Sequence, residues 1–587
     1  MKKEILLVFK THLDIGYTDY AKSVVRSYLD VFIPNAVKVG YKLRDTKTPF
    51  VWTVGSWLIW KALKEDTDGN IEQAIRDGII TWHALPFASH TELMNKELFE
   101  YGLGISKELD EKFGRKTIGS KMTDVPGHTI GMVPLLKKAG IEFLHIGVNP
   151  ATPNPDVPPV FRWRCGEDEI IVAYEDSYGA CSDYGDFAVY FAHTNDNIGP
   201  PSEQDVLNVY KTLSEKYPDC TIRAATLNDV AERMMKLPNL PVVEQEIGDT
   251  WIHGAGTDPK KVGMYRELLR HIETHGINAE LKESLLLVPE HTWGMCLQKY
   301  FDNKTDWFQN ELEDTTDMER KERFEASWKE QREYIKDAEN ELGINVDYTL
   351  SEPDLSGFKK CEYAPDIEIS WQLFDRSDYE RYKEKYLTLT PENTEWALWD
   401  DTKPGLPEYF GGIYPAVATE SYKKDGEYLT RLEFKKDISE KYGLPHFWVR
   451  EDGRNVSIEW FGKKANRLPQ AFWLKFHGFD EAWEIEKLGQ WISPEKIIGS
   501  PLITATGKGI RNSEAEITPL DACLVAPFGR RLLDFEKHPR GQNVYFNLYN
   551  NIWNTNFPMW YSDDTRFRFV IKITRTETPS YDVTIPM

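Results

Sequence analysis

The segment Thr11-His12-Leu13-Asp14-Ile15-Gly16 places an imidazole and a carboxylate two residues apart, directly after the apolar run Ile5-Leu6-Leu7-Val8-Phe9. Alternate residues of an extended chain point the same way, so His12 and Asp14 can converge on one point at the end of a strand. Together they are half of a metal site of the N/O type that zinc accepts. A second carboxylate, Asp124 in Thr123-Asp124-Val125-Pro126-Gly127-His128-Thr129, again stands at the end of a predicted strand just before a helix. A third segment, Asp249-Thr250-Trp251-Ile252-His253-Gly254-Ala255-Gly256-Thr257-Asp258, sets another imidazole in glycine-rich backbone. Each motif alone has an ordinary explanation, such as a hydrogen-bonded histidine or an Asp opening a turn. Three in one chain, each closing a strand or a region, are far less easily explained this way than any one of them.

Positioning such a site requires strands that end on one side. Apolar, β-rich runs predict strands over Glu4–Phe9, Phe50–Val54, Ile79–His83, Ile118–Thr123, Phe143–Val148, Glu169–Tyr174, Phe187–Ala192 and Ile222–Thr226. Amphipathic runs between them predict helices over Leu93–Phe113, Met132–Ala139, Glu203–Lys216 and Asn228–Lys236. Alternating strands and helices give a mostly parallel sheet, open or barrel-like, with chemistry beyond the strands' C-terminal ends. Residues 1–255 are therefore expected to form a (β/α) barrel-like catalytic domain, as one sheet. Residues 256–350, with helices over Pro259–His275, Glu280–Leu287, Asp306–Glu313 and Asp317–Leu342, read as a helical bundle. The alternating charges of Glu319–Lys336 mark a solvated helix face. Short alternating runs and turns such as Lys424-Asp425-Gly426 and Thr506-Gly507-Lys508-Gly509 make residues 365–587 an antiparallel β-sandwich domain.

Composition narrows the function. The 587 residues carry 71 Lys+Arg against 94 Asp+Glu, a formal net charge of −23. Phosphate affinity depends on basic residues, so this balance argues against a nucleic-acid partner. No apolar run is long enough to span a membrane, and the five apolar residues after Lys2-Lys3 are too few for a signal peptide. Six unpaired-looking cysteines indicate neither a disulfide framework nor a thiolate metal site, and a cytoplasmic protein is expected. The 19 Trp, 28 Tyr and 28 Phe supply rings that can stack on sugars, beyond those the core needs. Trp82, His83, Phe87, His90, Glu92, His128, His291 and Trp293 fall at strand ends or among the helices and form the expected sugar-contacting set.

These motifs resemble glycoside hydrolase family 38, the zinc-dependent retaining α-mannosidases. His12 and Asp14 match its opening His-x-Asp motif, Asp124 with Gly127 and His128 resembles its nucleophile motif, and His253 before Gly254-Ala255-Gly256-Thr257 resembles its later zinc histidine. Phe50-Val51-Trp52-Thr53-Val54-Gly55-Ser56 looks like its second strand, and Asn550-Asn551-Ile552-Trp553-Asn554-Thr555-Asn556-Phe557 like its late Asn-rich run. The match departs at Gly16-Tyr17, where the family has tryptophan, at Pro126, one place late, and at Gly254, where it has an acidic residue. With Pro289-Glu290-His291-Thr292-Trp293-Gly294, the pattern looks like a remote bacterial branch.

The resemblance implies a zinc-dependent retaining exo-glycosidase acting on an α-mannoside or a related sugar with a cis-diol. His12, Asp14, Asp124 and His253 would hold the zinc, and Asp124 would be both nucleophile and metal ligand. The general acid falls to Asp196, in His193-Thr194-Asn195-Asp196-Asn197-Ile198-Gly199-Pro200, with Asp176 and Asp183 in reserve. The same residues also suit a zinc-dependent carbohydrate deacetylase or lyase, with Asp124 a base or ligand, or a non-catalytic carbohydrate-binding protein. Related bacterial enzymes suggest a homodimer.

Overall fold

The computed structural model describes residues 3–573, apart from 180, 278–280, 282, 297–305, 478–481, 500–503 and 534–542. Ten strands occupy the first part of the chain: β1 Glu4–Thr11, β2 Trp52–Gly55, β3 Ile80–His83, β4 Gly119–Asp124, β5 Phe143–Val148, β6 Val160–Cys165, β7 Asp168–Glu175, β8 Cys181–Asp183, β9 Phe187–Thr194 and β10 Thr221–Ala224. All eight predicted strands are present. The two the pattern misses, β6 and β8, pair antiparallel with β7 and β9. β6 alternates apolar and cationic side chains (Val160, Arg162, Arg164) and its tip is half-covered, so it lacks the uniform apolarity of its buried neighbours.

The strands form two sheets, not the single sheet expected. One runs β3-β2-β1-β9-β8 with β10 also on β1; the other runs β6-β7-β5-β4, with a further short strand on β6. Where β3 meets β4, one backbone bond joins them, Ala84 N–H to the Gly119 carbonyl at 3.2 Å. Apart from the two antiparallel hairpins the pairings are parallel, so β1, β4 and β9 all end on one side. The helix Lys96–Phe113 is capped by the Asn95 side chain, and Glu203–Lys216 by a Ser202/Asp205 capping box.

Helices Pro259–His275, Ser284–Leu287, Gln309–Glu313 and Met318–Leu342 follow, close to the predicted spans; the first residues of the Glu280–Leu287 prediction lie partly outside the described residues. The remainder holds a ten-stranded and a six-stranded antiparallel sheet. They pack face to face through aromatic pairs such as Trp460–Phe472 at 5.2 Å and Phe546–Phe569 at 5.0 Å between ring centroids. This region is not purely β. Helices Arg376–Tyr386 and Thr394–Asp401 interrupt it, and the first of them reaches the α/β region: Tyr386 donates to Asp249, and Tyr382 bonds Thr250.

A buried ion cluster ties the β region to the α/β region. Lys487 Nζ donates to both Glu92 and Glu246, and Thr504 Oγ1 donates to Glu92 at 2.6 Å. Burial of such charges is tolerable only when they are paired and hydrogen-bonded, as here. Among the described residues no helix is long and apolar enough to cross a membrane, and all six cysteines are free.

Candidate active site

At the ends of β1 and β4, four side chains turn toward one point. His12 Nε2 and His291 Nε2 each lie 3.0 Å from Asp14 Oδ1, and they lie 4.0 and 3.4 Å from Asp124 Oδ2. Tetrahedral donors on bonds of about 2.0–2.2 Å stand about 3.3–3.6 Å apart, a spacing that these separations bracket to within about half an ångström. The two Nε2 atoms and Asp14 Oδ2 are buried without a hydrogen-bond partner. Orphaned buried polar atoms are costly, and convergence on one point is what a metal would satisfy. Among the described residues, His12, Asp14 and His291 are the one group of three such ligands whose atoms all lie within 4.8 Å of one another. The site therefore draws its second imidazole from His291, expected as a sugar contact, and not from His253.

Backbone pairing explains the choice. Tyr17 N–H bonds the Gly294 carbonyl at 3.0 Å, and Cys296 N–H bonds the Tyr17 carbonyl at 2.8 Å. His90 N–H bonds Pro289 and His291 N–H bonds Ala88, so the Glu290–Cys296 loop is stitched to the ends of both β1 and β3. Glu290 Oε1 takes the Nδ1 proton of His291 at 2.7 Å, which fixes the tautomer with Nε2 free for a metal. Asn197, left-handed at φ 52°, receives Asp14 N–H at 3.0 Å and donates to the carbonyls of Asp14 and Gly16, so it cradles the loop after β1. Asp124 itself has φ 77°, a strained conformation for a branched polar residue. Its Oδ1 accepts from Tyr178 Oη and from Asn149 Nδ2 at 3.3 Å, while Oδ2 faces the imidazoles.

Electrostatics follow from burial and pairing. Burial works against the charge of His12, but the nearby charge of Asp14 outweighs it and raises the imidazole above its usual value. His291 is raised further, against burial, by Glu290, Asp124 and Asp14. Burial would raise the Asp124 carboxyl, yet His291 and His12 hold it low. Asp196 moves the other way: burial and then the charge of Asp14 push it up to about 6. A carboxyl near that value is suited to giving and taking a proton near neutrality.

Asp14, Asp124, Asp196 and His291 line one cavity together with Trp396 and Trp553. Sequence reasoning placed the first four at this end of the molecule; it missed Tyr178, Asn149, Trp396 and Asp401. Tyr178 and Asn149 carry no motif, and Trp396 and Asp401 sit on a helix in a region read as wholly β. The reserve acids are exposed, and Asp183 pairs with Lys3.

Most expected sugar contacts lie elsewhere. Glu92 belongs to the Lys487 ion cluster. His128 Nε2 bonds the Val125 carbonyl at 3.0 Å, bracing the turn after Asp124. Trp82 packs on Phe113, Phe87 on Trp57, and Lys261 Nζ sits 3.9 Å over the Trp293 ring. His83 lies below the site, lining a separate small cavity with Lys121, and His90 packs near Phe557. His253 is buried against Trp553, 6.4 Å between centroids, and burial lowers its imidazole to about 3. The neighbouring Gly254 has no room for a side chain: a Cβ would come within 2.2 Å of the Phe557 ring. That packing accounts for the missing acidic residue at this position.

Two outcomes check this ligand set. His291→Ala should lose tight metal binding while His253→Ala keeps it, read by metal content after dialysis, because His253 packs against Trp553 and not among the converging donors. Metal affinity should also fall with acid. Both imidazoles are raised, so they stay protonated to higher pH than a free histidine and must shed those protons to ligate. Affinity should be fully developed only above the raised values and should drop by about tenfold or more per pH unit below them. Calorimetry in buffers of different ionisation heat should record proton release on binding; pH-independent binding would contradict the assignment.

A family model described as a domain of unknown function, DUF5054, matches residues 255–352, which include His291. No curated protein sequence matches the chain. Among solved structures, an alpha-mannosidase from Enterococcus faecalis V583 superposes with a TM-score of 0.58 at 9% identity, covering 97% of this chain and 87% of that one. A glycosyl hydrolase family 38 protein from Enterococcus faecalis gives 0.55 at 8% identity, over 98% and 86%. The likeness is one of fold across nearly the whole length.

Proposed function

We propose that the protein is a zinc-dependent retaining exo-glycosidase, acting on an α-linked mannoside or a related sugar with vicinal cis hydroxyls. The observation that carries the reading is the convergence of His12, Asp14, His291 and Asp124 in a cavity that also holds Asp196. The fold shared with the Enterococcus faecalis alpha-mannosidase supports it.

In this reading His12, Asp14, His291 and Asp124 hold the ion. The bound ion supplies positive charge that anchors a pair of sugar hydroxyls and favours ring distortion. Tyr178 and Asn149 fix the plane of the Asp124 carboxylate through Oδ1. Burial holds the Tyr178 hydroxyl well above its usual value, so it stays protonated and only donates. Asp124 attacks the anomeric carbon as the bond to the leaving oxygen breaks. Asp196 passes its proton to that oxygen. Asp196, now a carboxylate, takes a proton from water, whose oxygen attacks the same carbon and frees Asp124 with configuration retained.

The test is product analysis of the zinc-loaded protein on a panel of aryl α-glycosides, following the first-formed anomer by NMR. Release of sugar with retained configuration is expected. Acetate from acetylated sugars, or an unsaturated product, would establish instead that the cavity runs deacetylation or elimination.

A further inference from the structure

The helix Met318–Leu342 buries an apolar stripe, Phe324, Trp328, Ile335 and Ala338, at the spacing of one helix face. Two polar residues stand in that stripe, Ser327 and Gln331, each only 2% exposed. A polar side chain in such a place costs stability unless a specific partner engages it. Four residues apart, the two lie one above the other on the helix surface. Ser327 Oγ donates to the Phe324 carbonyl at 2.7 Å and accepts the Met295 N–H at 3.1 Å. Gln331 Nε2 donates to the Ile15 carbonyl at 3.1 Å.

Those two partners belong to the two loops that carry metal ligands. Ile15 directly follows Asp14, and Met295 lies four residues after His291. One turn of one helix therefore grips both loops by their backbones. The fit is close: a Cβ on Gly294 would come within 2.5 Å of the Trp328 ring, and one on Gly16 within 3.5 Å of Gln331 Nε2. The loops also bond each other through Tyr17 with Gly294 and Cys296. An isolated bridge of two bonds fixes a spacing but acts as a hinge, and rotation about it stays free until a third point is held. A working site needs its groups within about 0.5 Å and 10–20° of the productive geometry, so that third point matters.

Building on the metal site of the glycosidase reading above, we propose that Ser327 and Gln331 are positioning residues for the metal centre. The helix presents them as a two-point template that sets the Asp14 loop and the His291 loop at the separation and tilt the ion requires, before the ion arrives. Neither side chain lines the cavity. Asn556 Oδ1, which accepts the Trp293 N–H at 2.8 Å, is a further anchor of the His291 loop, but it lines the cavity and its variants would alter sugar contacts as well.

The test uses the full chain with Co²⁺ as the probe ion, since a site of this donor type takes divalent first-row metals and the visible band of cobalt reports ligand geometry. Gln331→Met keeps the side-chain length and removes the donor. It should bind Co²⁺ about tenfold or more weaker than the parent, within the range usual for outer-shell partners, and show an altered visible band at saturation. Ser327→Ala should act in the same direction and carries the comparison if the first variant does not fold. Glu339→Ala is the control for plain destabilisation. It removes the acceptor of the Val346 N–H two turns along the same helix, and should melt lower while keeping the parent's Co²⁺ affinity and spectrum. Amide hydrogen exchange on the metal-free parent needs no variant: the Met295 amide should be protected before any ion is added. Unchanged affinity and spectrum in both variants, or protection that develops only with metal, would overturn the proposal and leave the metal site standing. A parent that binds neither Co²⁺ nor Zn²⁺ tightly would overturn both.

Discussion

Asp124→Ala is expected to abolish turnover on every substrate, by at least about 10⁴-fold, and to weaken metal binding as well. Removal of a covalent nucleophile typically costs about 10⁴–10⁶ in kcat, and no leaving group, however activated, restores it. The geometry makes the second loss inseparable from the first. Oδ2 of Asp124 faces the imidazoles of His12 and His291, so the alanine variant leaves three ligands around the ion. Activity with an acidic phenol leaving group and metal content by elemental analysis check the two halves. Substantial residual turnover with retained configuration would remove Asp124 from the nucleophile role.

Asp196→Ala should give a split result instead. An acidic phenol needs little protonation on departure, so formation of the glycosyl-enzyme should be partly spared, while unactivated glycosides fall by about 10²–10⁴-fold, the usual worth of acid–base assistance. Azide, which needs no deprotonation, should then restore the second step and give a glycosyl azide of retained configuration. The pH profile adds an independent check. The Asp196 carboxyl is raised to about 6 and must be protonated to act as the acid, so activity should decline as pH rises through that region. The variant should lose this alkaline limb. Equal losses on activated and natural substrates, without azide rescue, would leave the acid role to another carboxyl lining the cavity.

The strand ends were the legible part of this site. His12 and Asp14 follow the apolar run Ile5–Phe9, and a buried parallel strand announces itself by such a run; Asp124 ends a strand that is equally buried but reads Gly-Ser-Lys-Met-Thr, and it stood out by the Pro-Gly turn after it. The second imidazole was not legible in the same way. His253 and His291 both stand in glycine-bearing segments after the α/β region, and the choice between them rests on long-range backbone pairing of Tyr17 with Gly294 and Cys296, which leaves no local periodicity. Glu92 misled for a related reason: a glutamate beyond a strand end suits a sugar contact until Lys487, 395 residues away, is seen to claim it. The helix Thr394–Asp401 lay hidden because turn residues dominate its surroundings, and eight residues give too little of the 3.6-residue pattern to stand out.

The stitching of the first loop to the Glu290–Cys296 loop also sets a timetable for biosynthesis. Asp14 leaves the ribosome 277 residues before His291, and Trp553 follows later still. At about 5–20 residues per second, the nascent chain carries an imidazole and a carboxylate without their partners for roughly 15–55 s. During that interval the α/β region can collapse on its own core, but it offers an ion only a loose, partial set of donors. In the proposed reading the four donors are complete only once His291 has emerged, so a chain interrupted before residue 291 should bind no metal tightly.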